Sequence, residues 1–245
     1  MSGLTPLGFL VIALVVLVAA ALQASIGFGM GMLAAPVVAI VDPSLIPATL
    51  LFLALVVTSM TVLTERRHVD IGGTGWAIAG RVPGTVAGAV LVAVLPERGL
   101  ALLLAAVVLL GVVLATLGWA PQPARPTLVL AGATSGLLGT ATSIGGPPMA
   151  LVWQGKSGPG LRGSMNSFGL IGGMLSITVL LASGAVSGET FRVAVLLLPM
   201  PILGFWASRY INRFLDPRRL RRTVIVVSCF GAVILIGQQL AGLLG

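Results

Sequence analysis

Long apolar stretches separated by short polar loops fill almost the whole chain. The first half carries apolar segments at about 6–23, 27–41, 45–63, 74–95 and 100–118, and the second half at about 126–141, 145–155, 164–184, 191–209 and 222–243. A helix needs about 20 apolar residues to cross a bilayer. Because most segments approach that length, the pattern predicts an all-α polytopic membrane protein.

Two of these segments are too short to cross a membrane. Segment 27–41 follows the step Ser25-Ile26-Gly27, and segment 145–155 follows Ser143-Ile144-Gly145, 118 residues later. Each step continues into further glycine and proline, which interrupt helices. We therefore expect a broken or re-entrant helix pair at both places, and eight to ten membrane segments in all.

The two halves of the chain share this layout. At the same offset of 118 residues, the turn at 64–73 falls on 182–191, and Pro83 falls on Pro201. We therefore predict one integral membrane domain made of two repeats, residues 1–122 and 123–245, with five segments each. An odd number of reversals per repeat makes the repeats oppositely oriented, so the prediction is an inverted repeat.

The placement of the charged residues supports an odd number of chain reversals in each repeat. Cytoplasmic loops are enriched in Lys and Arg. If the loop with Arg66 and Arg67 is cytoplasmic and each segment reverses the chain, 11 of the 14 basic residues lie inside: Arg66, Arg67, Arg125, Lys156, Arg162, Arg209, Arg213, Arg218, Arg219, Arg221 and Arg222. Eight reversals would put the arginine-rich 209–222 loop outside. Both termini are then predicted outside.

Composition excludes several other classes of protein. The chain is 57% hydrophobic and 8% charged, against about 25% charged residues in soluble domains. The net charge of +8 comes from loop residues that set orientation, so nucleic acid is not an expected partner. His68 and Cys229 are the single histidine and cysteine, and neither has neighbours in sequence that would complete a metal site. No Lys or Arg precedes position 65, so we expect the first segment to be a retained helix.

The breaks themselves are the first candidate site. Helix N-termini present unpaired N–H groups and a partial positive charge, which suits an anion. Hydroxyls of Thr134, Ser135, Thr140, Thr142 and Ser143 surround the second break, and Gln23 and Ser25 precede the first. Packing through small residues is the alternative explanation, favoured for scattered glycines such as Gly84 and Gly88.

Four polar residues within segments or at their ends add to the candidates. Arg81 lies inside segment 74–95, where it is either a substrate ligand or an arginine that snorkels to the interface. Arg162 either faces a cytoplasmic vestibule or anchors the topology. Asn166 and Ser167 either contribute to the site or bond neighbouring helices. The carboxylates fall in loops or at segment ends, so the sequence indicates no coupling group.

With these residues considered, the chain resembles the sulfite exporter TauE/SafE family of membrane transporters along nearly its whole length. The matching elements are Gly27-Phe28-Gly29-Met30-Gly31 with Pro36, and Gly136 with Ser143-Ile144-Gly145-Gly146-Pro147. Met30 and Pro147 depart from the family pattern, which often has glycine there. The resemblance implies transport, often export, of small sulfur-containing or organic anions such as sulfite or sulfonates across a bacterial inner membrane.

The leading hypothesis is therefore a secondary transporter that holds its anion at the paired breaks and works by alternating access. A passive anion channel is the alternative, and a membrane enzyme or an assembly subunit is less favoured. No cofactor or catalytic residue is expected; a coupling proton or sodium ion and a homodimer stay open. The candidate ligands are Gln23, Ser25, Gly27, Phe28, Gly29, Arg81, Thr140, Thr142, Ser143, Gly145, Gly146, Pro147, Arg162, Asn166 and Ser167.

Overall fold

The computed structural model describes residues 4–116 and 121–211, with residues 226, 229–231, 233, 234 and 237 further on. Every regular element in this described part is helical. The arginine-rich run 213–222 and most of the last apolar segment, 222–243, lie outside the described residues. The prediction of an all-α chain is confirmed for the part that is described.

Ten α-helices follow one another along the described chain. The first five are α1 (Pro6–Ile26), α2 (Met30–Val41), α3 (Ala48–Glu65), α4 (Ile71–Val94) and α5 (Glu97–Thr116). The next five are α6 (Arg125–Thr142), α7 (Gly146–Val152), α8 (Gly158–Ala182), α9 (Gly188–Leu197) and α10 (Pro199–Ile211). Five spans are long and apolar enough to cross a membrane: Pro6–Ile26, Ala48–His68, Ile71–Val94, Gly158–Ala182 and Gly188–Tyr210.

The long helices begin where the sequence supplies capping residues. Thr5 accepts a hydrogen bond from the N–H of Gly8 at 3.1 Å, and Pro6 occupies the first turn of α1. Asp70 caps α4 through the N–H of Gly73 at 2.9 Å. Such caps satisfy N–H groups that have no partner within the helix. Capping by Asp70 starts α4 at Ile71, three residues earlier than the hydropathy pattern predicts.

Small residues bring α4 and α6 into direct backbone contact. A methyl group placed on Gly84 would overlap the backbone of Ala133, so only glycine fits there. The contacts advance together along both helices, as expected for parallel neighbours: Gly80 with Val129, Gly84 with Ala133, and Gly88 with Leu137. The interpretation of Gly84 and Gly88 as packing residues is thus confirmed.

Helices α3 and α8 pack in the opposite sense. Gly163, near the start of α8, lies against Glu65 at the end of α3, whereas Gly173, further along α8, lies against Leu55. The contacts run in opposite directions along the two chains, so α3 and α8 are antiparallel.

The contacts between helices repeat when one half is exchanged for the other. By chain order, α1 corresponds to α6, α2 to α7, α3 to α8, and α4 to the α9–α10 pair. The contact of α4 with α6 then corresponds to that of α10 with α1, and α1 with α2 corresponds to α6 with α7. The α3–α8 contact corresponds to itself. This exchange agrees with the predicted repeat, and the inverted orientation of the two halves stays a prediction.

Basic loop residues gather at one end of the bundle. Lys156 pairs with Asp70 at 3.0 Å, and Arg162 pairs with Glu65 at 2.6 Å. The guanidinium carbon of Arg125 lies 5.1 Å from the ring centroid of Trp76, one to two turns into α4. This grouping agrees with the charge-based topology, which places these residues on one side; the side itself is not tested by the fold.

The outward surface of the bundle is apolar. On α4, Val82, Val86, Val90 and Val94 are exposed at a spacing of four residues, which forms one stripe along the helix. Exposure of valine side chains to water is unfavourable, whereas lipid tails solvate them. The stripe is therefore the lipid-facing side of α4, and its opposite face packs on α6.

Candidate functional site

Each helix before a break ends on a residue with left-handed backbone. Gly27 has φ 101° and ends α1, and Ser143 has φ 65° and ends α6. Glycine adopts this conformation without steric cost, whereas serine does so at a cost of about 1–2 kcal/mol. The chain reverses within three residues at both places, and α2 and α7 begin immediately afterwards.

The two Ser-Ile-Gly steps are not structurally equivalent. Gly27 corresponds to Ser143, and the first residue of α2, Met30, corresponds to Gly146, so the halves are offset by 116 positions at the breaks. The predicted offset of 118 is therefore wrong here by two residues. Under the structural alignment Ser25 falls on Ala141, two residues before the left-handed Ser143.

The two breaks lie against each other. Gly31 in the first turn of α2 contacts the carbonyl oxygen of Ser143 so closely that any side chain would overlap it. A methyl group on Gly146 would lie 3.0 Å from Cβ of Phe28. The Ser143 hydroxyl donates a hydrogen bond to the carbonyl of Pro47 at 2.8 Å, which ties the second break to the first half.

A cavity of about 80 Å³ opens between the breaks. Its walls come from both breaks and from α3, α4 and α8. A single water needs about 10–15 Å³ measured this way, so the cavity holds several waters or one small anion. Its apolar wall includes Leu51, Leu55, Met165 and Phe168.

Arg81 places its guanidinium in this cavity. The residue is ten positions from the start of α4, about 15 Å along the axis, which is half the roughly 30 Å thickness of a bilayer core. Only 4% of its surface is exposed. Its Nε has no hydrogen-bond partner, and its guanidinium carbon lies 4.6 Å from the ring centroid of Phe168. The depth and burial favour a site residue over a snorkelling one.

Glycines on two neighbouring helices make room for that guanidinium. A methyl group on Gly172 of α8 would overlap the Arg81 side chain, and one on Gly139 of α6 would lie 3.4 Å from Nη2. Gly136 of α6 also borders the Arg81 stem at 3.0 Å. The side chain is therefore held between α6 and α8 with its charge directed to the break at Gly145, which itself packs on Gly139.

No carboxylate in the described residues neutralises Arg81. The ion pairs found there join Lys156 to Asp70 and Glu65 to Arg162 and His68. A buried charge without a counter-ion is strongly unfavourable. An anion in the cavity beside Arg81 would supply the missing counter-charge.

Backbone donors at the two breaks differ in number. The Met30 N–H of α2 donates to Oε1 of Gln23 at 3.3 Å, while the N–H groups of Gly31 and Met32, which follow in the first turn, have no carbonyl partner within the helix. Pro147 and Pro148 carry no N–H, so the first turn of α7 offers fewer donors. The α2 terminus is consequently the stronger partial positive charge.

Nine of the fifteen predicted ligands line the cavity. They come from both breaks and from α4, and Arg81 is the cation among them. The nine residues are Gln23, Gly27, Phe28, Gly29, Arg81, Ser143, Gly145, Gly146 and Pro147.

Three predicted hydroxyl ligands bond elsewhere. Ser25 donates to the carbonyl of Ala21 at 2.7 Å, and Thr142 donates to Leu138 at 2.7 Å. Thr140 is 2.8 Å from the hydroxyl of Ser176, which links α6 to α8. These groups stabilise helix ends and helix contacts in the described conformation and do not line the cavity.

The remaining three candidates lie on the first turns of α8, whose start packs against the first break at Gly27. Arg162 pairs with Glu65 and lines a second cavity. The Asn166 amide donates to the carbonyl of Arg162 at 2.9 Å, and its Oδ1 has no partner. Ser167 is buried among the helices. None of the three lines the cavity at the breaks.

The sequence interpretation missed the wall residues contributed by α3 and α8. The ring of Phe168 packs against the Arg81 guanidinium, and the absence of a side chain at Gly172 leaves room for that guanidinium. The adjacent glycines Gly172 and Gly173 inside a long helix were the available signal, because glycine in a helix interior often marks a close approach. Thr58 of α3 also lines the cavity, with its hydroxyl donating to the carbonyl of Ala54 at 2.9 Å.

The fold and cavity define a class of protein: a polytopic helical membrane protein with two interrupted helices around a buried, positively charged cavity, as membrane transporters have. The chain belongs to the sulfite exporter TauE/SafE family, whose model matches residues 12–235. No curated protein and no solved structure matches it. A transporter family is consistent with the expectation that the chain is not an enzyme. No cluster of metal-ligating side chains occurs in the described residues.

Proposed function

We propose that this protein is a secondary transporter, and specifically an exporter, of small sulfur-containing or organic anions such as sulfite or sulfonates, with its substrate site in the cavity between the two helix breaks. The observation that carries the proposal is the buried Arg81, which faces the cavity and has no carboxylate partner in the described residues. The family supports the broader statement that the chain is a membrane anion exporter.

The cavity matches the chemistry of a sulfonate or sulfite group. The guanidinium of Arg81 offers a fork of N–H donors that suits an oxyanion. The α2 terminus adds a partial positive charge at Gly29 and Gly31, which also line the cavity. Leu51 and Leu55 form the opposite, apolar wall, where the rest of an organic anion fits.

Alternating access is supported by the antiparallel pairing of α3 and α8. These helices are equivalents in the two halves, and their contacts run in opposite directions. A two-fold axis that relates two antiparallel helices is perpendicular to them, and therefore lies in the membrane plane if they cross it. That is the arrangement in which two conformations open a central site to opposite faces.

Purified protein in liposomes tests the proposal. Liposomes loaded with sulfite, a short alkyl sulfonate or a short carboxylate are diluted into tracer-containing buffer, and counterflow of the tracer is followed. We expect uptake above the outside concentration for at least one anion, and none with the R81Q variant. Equilibration without overshoot would assign the passive channel instead. No flux of any of these anions would reject anion transport at this cavity.

Other parts of the proposal follow from the same topology. We propose that the protein resides in a bacterial inner membrane with both termini outside, which puts the end bearing Arg162 and Lys156 in the cytoplasm. Coupling to a proton or sodium ion and assembly into a homodimer are questions for the same liposomes, through the dependence of counterflow on imposed ion gradients and through cross-linking.

A further inference from the structure

A second cavity lies at the basic end of the bundle. Its volume is about 360 Å³, and we call it the vestibule. Residues of α1, α3, α8 and α10 line it: Ala24, Thr61, Thr64, Glu65, Arg162, Phe205, Ser208 and Arg209. It lies at the end of the bundle where Lys156 pairs with Asp70.

One layer of residues separates the vestibule from the cavity at the breaks. On α3, Thr58 lines the cavity and Thr61, one turn later, lines the vestibule. On α8, Met165 lines the cavity and Arg162 lines the vestibule. A methyl group on Gly27 would lie 3.2 Å from Cα of Arg162, so the first break rests directly on the start of α8.

An ion pair joins the two halves of the protein at this layer. Arg162 donates from Nη2 to Oε1 of Glu65 at 2.6 Å and from Nε at 3.2 Å. Glu65 is at the end of α3 and Arg162 near the start of α8, which are the equivalent antiparallel helices. Their side chains are 17% and 25% exposed, so water reaches the pair. A pair in contact with water can separate without leaving a dry, uncompensated charge.

The opposite end of α3 is closed by different chemistry. There Phe52 packs edge-on against Phe191 with ring centroids 5.7 Å apart, and Leu51 joins a cluster with Ile177 and Leu180. An apolar contact and a solvated ion pair respond to different conditions, because salt weakens the ion pair and leaves the apolar contact intact.

We propose that the Glu65–Arg162 ion pair is the gate between the vestibule and the cavity at the helix breaks. While the pair is formed, it holds the end of α3 against the start of α8 and closes the central cavity to the basic end of the protein. Separation of the pair lets the two helices part and joins the two cavities. The gate rests on the proposed transport function, but its state is measurable without any substrate.

Accessibility of a cysteine in the central cavity tests the gate. The chain is made free of its native thiol by Cys229→Ser, and Ala54, which lines the cavity, is replaced by Cys. A small charged methanethiosulfonate reagent is applied to membrane vesicles of either orientation. We expect Glu65→Gln and Arg162→Gln each to raise the labelling rate about fivefold or more, and only from the face that carries loop 66–70.

Matched controls separate the gate from general loosening. Asp70→Asn removes the neighbouring ion pair with Lys156 at the same end, and should leave labelling of the Ala54 position unchanged. A cysteine at position 64 (Thr64→Cys) lies on the exposed side of the vestibule. Its labelling rate should be the same in proteins with and without the Glu65–Arg162 ion pair. The charge swap of Glu65→Arg with Arg162→Glu should restore slow labelling.

Other results would overturn the gate. They are equal labelling in the paired and unpaired forms, an equal increase from Asp70→Asn, or fast labelling in the charge swap. Loss of anion counterflow with normal labelling behaviour would instead reject the proposed substrate and keep the gate.

Discussion

Arg81 of α4 occupies space that exists only because Gly172 of α8 has no side chain. A methyl group at Gly172 would overlap the guanidinium, and the ring of Phe168, one turn earlier on α8, supports that guanidinium at 4.6 Å. The two helices belong to different halves of the chain. The charge that we assign to substrate binding is therefore positioned by both halves at once.

Replacement of Arg81 by Gln should weaken anion binding while the helices still assemble. A hydrogen bond to a charged group contributes about 1.5–3 kcal/mol, so loss of one or two such bonds weakens affinity at least about tenfold. Arg81→Lys keeps the charge and should retain part of the affinity. Titration of anions against tryptophan fluorescence in detergent measures this. Arg125→Gln, which removes a basic residue at the bundle surface, is the control, and this variant should bind anions as tightly as the parent does.

Gly172→Ala should displace Arg81 and reduce affinity without removing any charge. The added methyl group has to share the guanidinium's position, so Arg81 leaves its rotamer and the ring of Phe168. Binding should weaken by a factor close to that of Arg81→Gln. Gly160→Ala, on the same helix with its nearest neighbour 3.9 Å away, is the matched control. Unaltered affinity in Gly172→Ala would show that the guanidinium does not contact the anion.

Ser143 tests the left-handed turn at the second break. Its φ of 65° favours glycine, and its hydroxyl bonds to Pro47. Ser143→Ala and Ser143→Gly both lose the hydroxyl, but only Gly relieves the backbone. We expect the Gly variant to be more stable than the Ala variant by about 1 kcal/mol, measured by thermal unfolding in detergent. Equal stabilities would mean that the turn relaxes when the hydroxyl is removed.

Asp70 should make stability depend on acid pH. The Gly73 N–H, helped by Lys156, holds the pKa of Asp70 below its usual value of 3.8, against the smaller opposing effect of burial. A lowered folded pKa means that the stabilisation is complete above 3.8 and is lost as pH falls through the folded value. The stability gap between parent and Asp70→Asn, measured by thermal unfolding, should be full near about pH 6 and shrink as the pH falls below 3.8. A constant gap would contradict the assignment.

Gly84→Val should separate α4 from α6. The new side chain would meet the backbone of Ala133, and overpacking in a close contact costs about 1–3 kcal/mol. A lower unfolding temperature and a smaller folded fraction after detergent extraction are expected. Gly75→Ala on the same helix has open space around it and should unfold at the parent temperature.

Hydropathy alone locates most of the helices, because a membrane helix must be apolar over its whole length. It does not show that the predicted continuous segment 191–209 is interrupted at Leu198, between α9 and α10. Pro199 and Pro201 were the signal, since proline has no N–H to donate within a helix, although Leu198 itself keeps helical backbone angles of φ −50° and ψ −35°. Apolar composition outweighed them in the prediction.

The position of the cavity was predictable from the sequence, but the arrangement of its walls was not. Glycine and proline marked both breaks, and nine candidate ligands line one cavity. The identical letters Ser-Ile-Gly suggested an alignment that the backbone does not follow, because the left-handed position is Gly27 in one half and Ser143 in the other. The pocket around Arg81 depends on glycines of two other helices, which no local pattern connects to position 81.

The interruption at Leu198 also bears on direction. With α4 and α9 beginning 117 positions apart, Leu198 is the counterpart of Arg81 under the proposed repeat, which would then carry this cation in its first half only. The prolines of α7 deepen that difference by removing backbone donors. An anion bound at the proposed site would therefore have one fixed orientation, with its charged group at Arg81, and would present different ends to the two faces of the membrane.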